Sequence, residues 1–207
     1  MRDEKNEMLL PSQFIAAAER YGIMEQIDRW VVSTALNNIA QLQRSAMIES
    51  TIFSINLSGQ SLASEKFMQF ILQQLDQHAD LMPFVCFEIT ETALMSNLTQ
   101  AMQCMHQIKN KGAALALDDF GSGLSSFAYL RHMPIDYLKI DGAFVKNMHQ
   151  DAINRAIVAN IHQLSRVFNV QTIAEYVENK EIINELRMIG VDYAQGYGIH
   201  KPEPWLV

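Results

Sequence analysis

Two hydrophobic rhythms alternate along this chain. From Pro11 and Ser12, the apolar residues Phe14, Ile15, Ala18 and Tyr21 recur at helical spacing until Gly22, which predicts a short amphipathic helix. Residues 27–42, IDRWVVSTALNNIAQL, keep the same period for about four turns. The pattern then changes to short, near-continuous apolar runs rich in β-branched and aromatic residues, at 51–57, 84–89, 113–118, 135–140, 170–175 and 191–196. Helical patterns lie between most of them, over 64–78, 97–110, 124–132, 151–167 and 179–189. Strands apolar on both faces and separated by helices predict repeated βαβ units and an α/β fold with a covered parallel sheet.

Polar residues gather where each predicted strand ends. Asn56 follows FSI, Glu88 follows VCF, Asp118 and Asp119 follow LAL, Lys139 follows DYL, Glu175 follows TIA and Gln195 follows DYA. One such residue at a strand end is ordinary, because strand ends meet water. A set drawn from all six favours a TIM-like (β/α) barrel, whose C-terminal rim collects side chains from every strand. An open doubly wound sheet would gather them only where its strand order reverses.

The rim would hold four carboxylates and one ammonium. Like charges at close range raise each other's pKa values unless cations compensate them. Oxygen donors of this kind suit two Mg²⁺ or Mn²⁺ ions rather than zinc. Two such ions can activate water and stabilise an in-line displacement at phosphorus. Lys139 could orient or deprotonate the water, neutralise a phosphate oxygen, or simply pair with a rim carboxylate. Adjacent strand residues point to opposite faces, so Asp118 and Asp119 share a site only where the backbone turns, a turn expected from Phe120-Gly121-Ser122-Gly123. The plainer reading of this acidic pair is a cap on the helix that follows.

Composition narrows the picture further. The 207 residues, 49% of them hydrophobic, suffice for one domain with a substantial core. A formal charge of −7 argues against a DNA binder held by phosphate contacts. No apolar run approaches a membrane span and no signal peptide is apparent, so a cytoplasmic location is expected. Cys86 and Cys104 fit neither a disulfide framework nor a metal site and are expected as buried structural thiols. The six histidines have no clustered spacing. Trp30 is expected as a core anchor, Trp205 against the barrel's outside, and Met133 and Met148 on exposed helix ends.

The strings FSINLSGQSL, FEITET, LALDDFGSGLSSFAYLRHMPIDYLKID, IAEYVEN and DYAQGYGIHKP, spread from about Pro11 to Pro202, resemble the EAL domain, a cyclic di-GMP phosphodiesterase family. The resemblance implies a modified TIM barrel that hydrolyses cyclic di-GMP to pGpG with Mg²⁺ or Mn²⁺. By motif, Asn56, Glu88, Asp118, Asp119 and Glu175 resemble the family's metal ligands, and Lys139 resembles the lysine that acts on the nucleophilic water. Glu175 is also a candidate catalytic residue. The stretch 120–126 resembles the mobile loop that couples dimerisation to metal binding. Ser122, Gly123 and Gln195 resemble substrate contacts, and Glu91 a loop-stabilising group. Tyr176 stands where the family often has glycine, a variant expected to be tolerated.

One departure accompanies the match. The family's Glu-Ala-Leu signature, with its arginine, would fall about fifteen residues before Pro11, ahead of Met1. The six strands read here are also two short of a closed barrel. The chain is therefore expected to be a single EAL-type domain without its N-terminal strands, either a piece of a longer protein or a short natural form. It is expected to homodimerise, and a longer parent could carry GGDEF or sensor domains. The alternative function is a catalytically degenerate module that acts as a cyclic di-GMP receptor or protein-interaction domain.

Overall fold

The computed structural model describes residues 9–44, 51–121 and 127–203. Two helices, α1 (Pro11–Arg20) and α2 (Met24–Arg44), precede the sheet. There follow β1 (Phe53–Leu57), α3 (Gly59–Leu62), α4 (Glu65–Gln77), a 3₁₀ turn (Ala79–Phe84), β2 (Val85–Thr90), α5 (Glu91–Ser96) and α6 (Leu98–Asn110). The second half comprises β3 (Ala114–Phe120), α7 (Phe127–Leu130), β4 (Tyr137–Ile140), α8 (Gly142–Val145), α9 (Ala152–Val167), β5 (Gln171–Ala174), α10 (Lys180–Ile189) and β6 (Tyr193–Ala194).

The strands form one parallel sheet in the order β1-β2-β3-β4-β5-β6. Among the described strands spatial order equals chain order, so the winding does not reverse there, as it must in a doubly wound sheet. This is the TIM-like progression predicted from the rim residues. Among the described residues β1 and β6 are the two edges.

Register sorts side chains onto two faces. On the face toward the helices, Ile55, Phe87, Leu115, Leu138 and Thr172 are buried, as are Leu57, Ile89, Leu117, Ile140 and Ala174 one step further along. Amphipathic helices cover them with Leu36, Ile39, Phe67, Ile71, Met105, Ile108, Val158, Ile161, Ile182 and Leu186. The concave face starts with small side chains, Ser54, Cys86 and Ala114, and rises to Asn56, Glu88 and Lys139. At the edge strand β1, Ser54 and Asn56 are exposed, whereas Glu88 on the adjoining strand is buried.

The predicted helices over 64–78, 97–110, 151–167 and 179–189 are present with small shifts of their ends. Three short helices, α3, α5 and α8, were not predicted. Each follows its strand at once and begins at a capping side chain: Ser58 accepts from Ser61 N–H, Thr90 from Ala93 N–H and Asp141 from Ala143 N–H. Of the helix predicted over 124–132, the described part is only Phe127–Leu130. It ends before Pro134, which disfavours a helical residue in front of it. The strand predicted over 191–196 shortens to Tyr193–Ala194.

Trp30 is not a core anchor: it is 67% exposed. The buried stripe of α2 runs through Met24, Asp28, Val32, Ala35, Leu36 and Ile39, and Trp30 lies half a turn from it. Met133 and Met148, expected to be exposed, are buried, in the turns before β4 and after α8, where a flexible thioether fills irregular space. Trp205 lies outside the described residues.

Candidate active site

The predicted strand-end residues meet at one mouth of the sheet, and their centre is Lys139. Its ammonium donates to Glu88 Oε2 at 2.7 Å, and it lies 3.0 Å from Asp118 Oδ1 and 2.8 Å from Glu175 Oε1. All four residues are buried, Lys139 to 3% exposure. These partners come from β2, β3 and the residue just after β5, so the cluster exists only because the sheet brings its neighbouring strand ends together. Burial alone would lower the lysine pKa, but attraction to Glu88, Asp118 and Glu175 outweighs it and holds the ammonium above its usual range. Lys139 is therefore a charged donor at neutral pH. Deprotonating water by this group would first require loss of a proton that three carboxylates hold.

Glu175 is displaced in the other direction. Burial pushes its carboxyl up, Lys139 pulls it partly back, and Asp118 and Asp119 push it further, to about 7. Asp119 is also raised, by burial and then by Asp118 and Asp141. Both shifts come first from burial, and the neighbouring carboxylates add to them.

Asp118 and Asp119 reach one site by a device other than the expected turn. The strand does not end at Asp118 but continues to Phe120. Between the pairs Leu117–Leu138 and Phe120–Ile140, β3 places two residues, Asp118 and Asp119, where β4 places one, Lys139. The extra residue makes a bulge, and Asp119 takes up the change of direction with φ +55°. An acceptor oxygen from each of Asp118, Asp119 and Glu175 then falls within 4.8 Å of the others. Asp119 N–H also donates to Asp118 Oδ1 at 3.0 Å. The pair thus belongs to the mouth; the helix start near Leu124 that it could cap lies outside the described residues.

These donors suit a hard divalent ion. They are carboxylate oxygens in a negative, largely buried mouth, the chemistry of Mg²⁺ and Mn²⁺ sites, and the cluster contains no thiolate or imidazole that would favour zinc. Asn56 pairs in register with Glu88 on the concave face, which puts its amide beside the cluster at the edge strand. Asp28 steadies that strand end from behind. Its Oδ2 accepts from Ser58 N–H at 2.9 Å and from Ser61 Oγ–H at 2.6 Å. Sequence reading missed Asp28; the signal was an acidic residue on the apolar stripe of α2.

Glu91, at the start of α5, accepts from Gly121 N–H at 3.2 Å and from Tyr129 Oη–H at 2.6 Å. It therefore holds both flanks of the 122–126 stretch. Ser122 and Gly123 lie outside the described residues. Gln195 follows β6 on the rim and lines a cleft with Glu175. Cys86 and Cys104 are buried free thiols, pushed up to about 12 chiefly by burial, which makes them unreactive structural groups. Among the described residues no helix is long and apolar enough to cross a membrane.

Known proteins resemble this chain in sequence and in fold. A family model described as "EAL domain" matches residues 1–202. The chain is 45% identical over 197 residues to cyclic di-GMP phosphodiesterase PdeB of Shewanella oneidensis, covering 95% of the chain and 23% of that protein. It is 35% identical over 204 residues to cyclic di-GMP phosphodiesterase PdeF of Escherichia coli, covering 99% of the chain and 27% of that protein. The chain thus spans about a quarter of the length of these curated relatives. Among solved structures, that of the PaMucR phosphodiesterase in complex with c-di-GMP superposes with a TM-score of 0.89 at 28% identity, over 98% of this chain and 82% of that one.

Proposed function

Because this chain belongs to the EAL domain family, we propose that its 207 residues form one EAL-type unit that hydrolyses cyclic di-GMP to linear pGpG. The observation that carries the reading is the convergence of Glu88, Asp118 and Glu175 on the Lys139 ammonium, with Asp119 turned into the same mouth by the bulge. Asn56, Glu88, Asp118, Asp119 and Glu175 would hold Mg²⁺ or Mn²⁺, whose charge would offset the carboxylates and acidify a bound water.

The protein's own groups divide the remaining work. Lys139, kept protonated by its partners, donates to the attacking water or to a phosphate oxygen and fixes its direction. Glu175, raised to about 7 before any ion arrives, would lose its proton on taking up an ion, and its carboxylate beside Lys139 would then help to hold the water in line. The buried floor of Glu88 and Lys139 excludes bulk water and strengthens each of these interactions. Glu91 holds the flanks of the 122–126 stretch, which contains the candidate substrate contacts Ser122 and Gly123; Gln195 is a further candidate contact on the cleft wall.

The test is incubation of the chain with cyclic di-GMP and Mn²⁺ at high protein concentration, with products separated by chromatography. Formation of pGpG is expected, and Glu88→Gln and Asp118→Asn should each abolish it. Absence of pGpG overturns the reading, and binding without turnover would make the chain a receptor.

A further inference from the structure

Tyr176 follows Glu175 directly and is 55% exposed, in a cleft of about 350 Å³ lined by Glu175, Tyr176, Glu178, Gln195, Gly196 and Tyr197. Its backbone is left-handed, with φ +52°, a region that non-glycine residues rarely adopt and that persists only when the surroundings impose it. The surroundings do so here. Val177 N–H donates to Gln195 O at 3.0 Å, and Gly198 N–H donates to Val177 O at 2.8 Å, clamping 175–178 against 195–198. Gly196 permits that approach, since a Cβ there would fall 2.5 Å from Val177 O.

The ring is placed as deliberately as the backbone. A Cβ on Gly142 would lie 2.6 Å from Tyr176 Cγ, so the ring rests directly on the bare backbone of α8. Lys146 Nζ lies 4.1 Å from the ring centroid. Gly142 and Lys146 are four residues apart, so the start of α8 and the residue just after it both back the ring. The residue is nonetheless 55% exposed, and it lines the cleft beside Glu175. Tyr176 thus spends backbone strain and a glycine seat on holding an aromatic surface open at the mouth.

We infer that Tyr176 is a substrate-positioning residue whose exposed ring stacks against a nucleobase of the cyclic dinucleotide, with α8 as its backing. Stacking suits a purine because the ring is flat, pre-oriented and backed by a cation, and it is sensitive to the base rather than to the phosphodiester. The inference rests on the phosphodiesterase reading and adds to it a source of preference for base-bearing substrates.

The experiment measures KM and kcat for cyclic di-GMP and, in parallel, kcat/KM for the base-free diester bis(p-nitrophenyl) phosphate, both with Mn²⁺. In Tyr176→Ala and Tyr176→Leu, KM for cyclic di-GMP should rise about tenfold or more, and the preference for the dinucleotide over the base-free diester should fall by the same factor. Tyr176→Phe and Tyr176→Trp should restore both. Gly142→Ala, which unseats the ring, should mimic Tyr176→Ala and have no further effect in the double variant. An unchanged KM in Tyr176→Ala, or an equal loss on both substrates, overturns the stacking assignment while leaving the phosphodiesterase reading intact. If the unsubstituted chain neither binds nor cleaves cyclic di-GMP, both readings fall.

Discussion

Lys139 is a buried cation held by three carboxylates, and removing it isolates the charge it balances. Lys139→Ala should destabilise the metal-free protein by about 3 kcal/mol, the scale of a broken buried ion pair. Thermal melts with and without Mn²⁺ check this, because a bound divalent ion should recover much of the loss. Turnover should stay low in the variant even with Mn²⁺ bound, since no ammonium remains to direct the water. Asp119 should behave in the opposite way. Its left-handed backbone costs about 1 kcal/mol relative to glycine, and its carboxyl is crowded by Asp118 and Asp141. Asp119→Gly is expected to raise the melting temperature of the metal-free chain while weakening Mn²⁺ binding at least tenfold, the scale seen for losses around a metal site. A variant less stable than the parent would contradict the strain argument.

At the scale of elements, the sheet places the site and short capped helices lock the strand ends. The first lock is legible in the chain as Ser58, Thr90 and Asp141, each immediately after an apolar run and each an N-cap. The second lock is tertiary: Asp28 of α2 reaches the loop after β1 and accepts from two donors of Ser58 and Ser61. Asp28→Ala should cost about 2–3 kcal/mol by leaving buried donors unpaired, measured by urea denaturation. Because Asn56 lies two residues before Ser58, Mn²⁺ affinity should drop as well, although Asp28 is no metal ligand. The bulge in β3 belongs to this scale too. A hydrophobic pattern predicts a strand at 113–118, but nothing in LALDDF says that β3 will set two residues against one of β4. That mismatch depends on the register of a strand some twenty residues away.

Taken whole, the molecule carries a charge imbalance at its mouth that couples folding to pH. The Glu175 carboxyl is raised from about 4.5 to about 7 in the folded state. A group whose folded pKa is raised contributes stability that is complete below its unfolded pKa and is lost as pH rises through its folded pKa. The metal-free protein should therefore lose melting temperature between about pH 5 and pH 8. Melts across that range in chelator should show the slope, and Mn²⁺ should flatten it by compensating the carboxylates. A slope unaffected by the ion would argue that Glu175 lies outside the ion's reach.

The alternation of apolar runs and helical periods determined the α/β class, because burial on both faces of a parallel strand imposes that composition locally. The same local logic put a polar residue at each strand end, so Asn56, Glu88, Asp118, Asp119, Lys139, Glu175 and Gln195 could be named in advance. Tertiary structure decided which of them touch. Lys139 engages Glu88, Asp118 and Glu175 because the parallel sheet carries the ends of β2, β3 and β5 to one mouth around β4, and its protonation follows from their combined field rather than from any neighbour in sequence. It also turned Trp30 outward, buried Met133 and Met148, and set the Tyr176 ring on Gly142. Each of these depends on contacts between residues distant in the chain, and such contacts leave no periodic trace in the sequence.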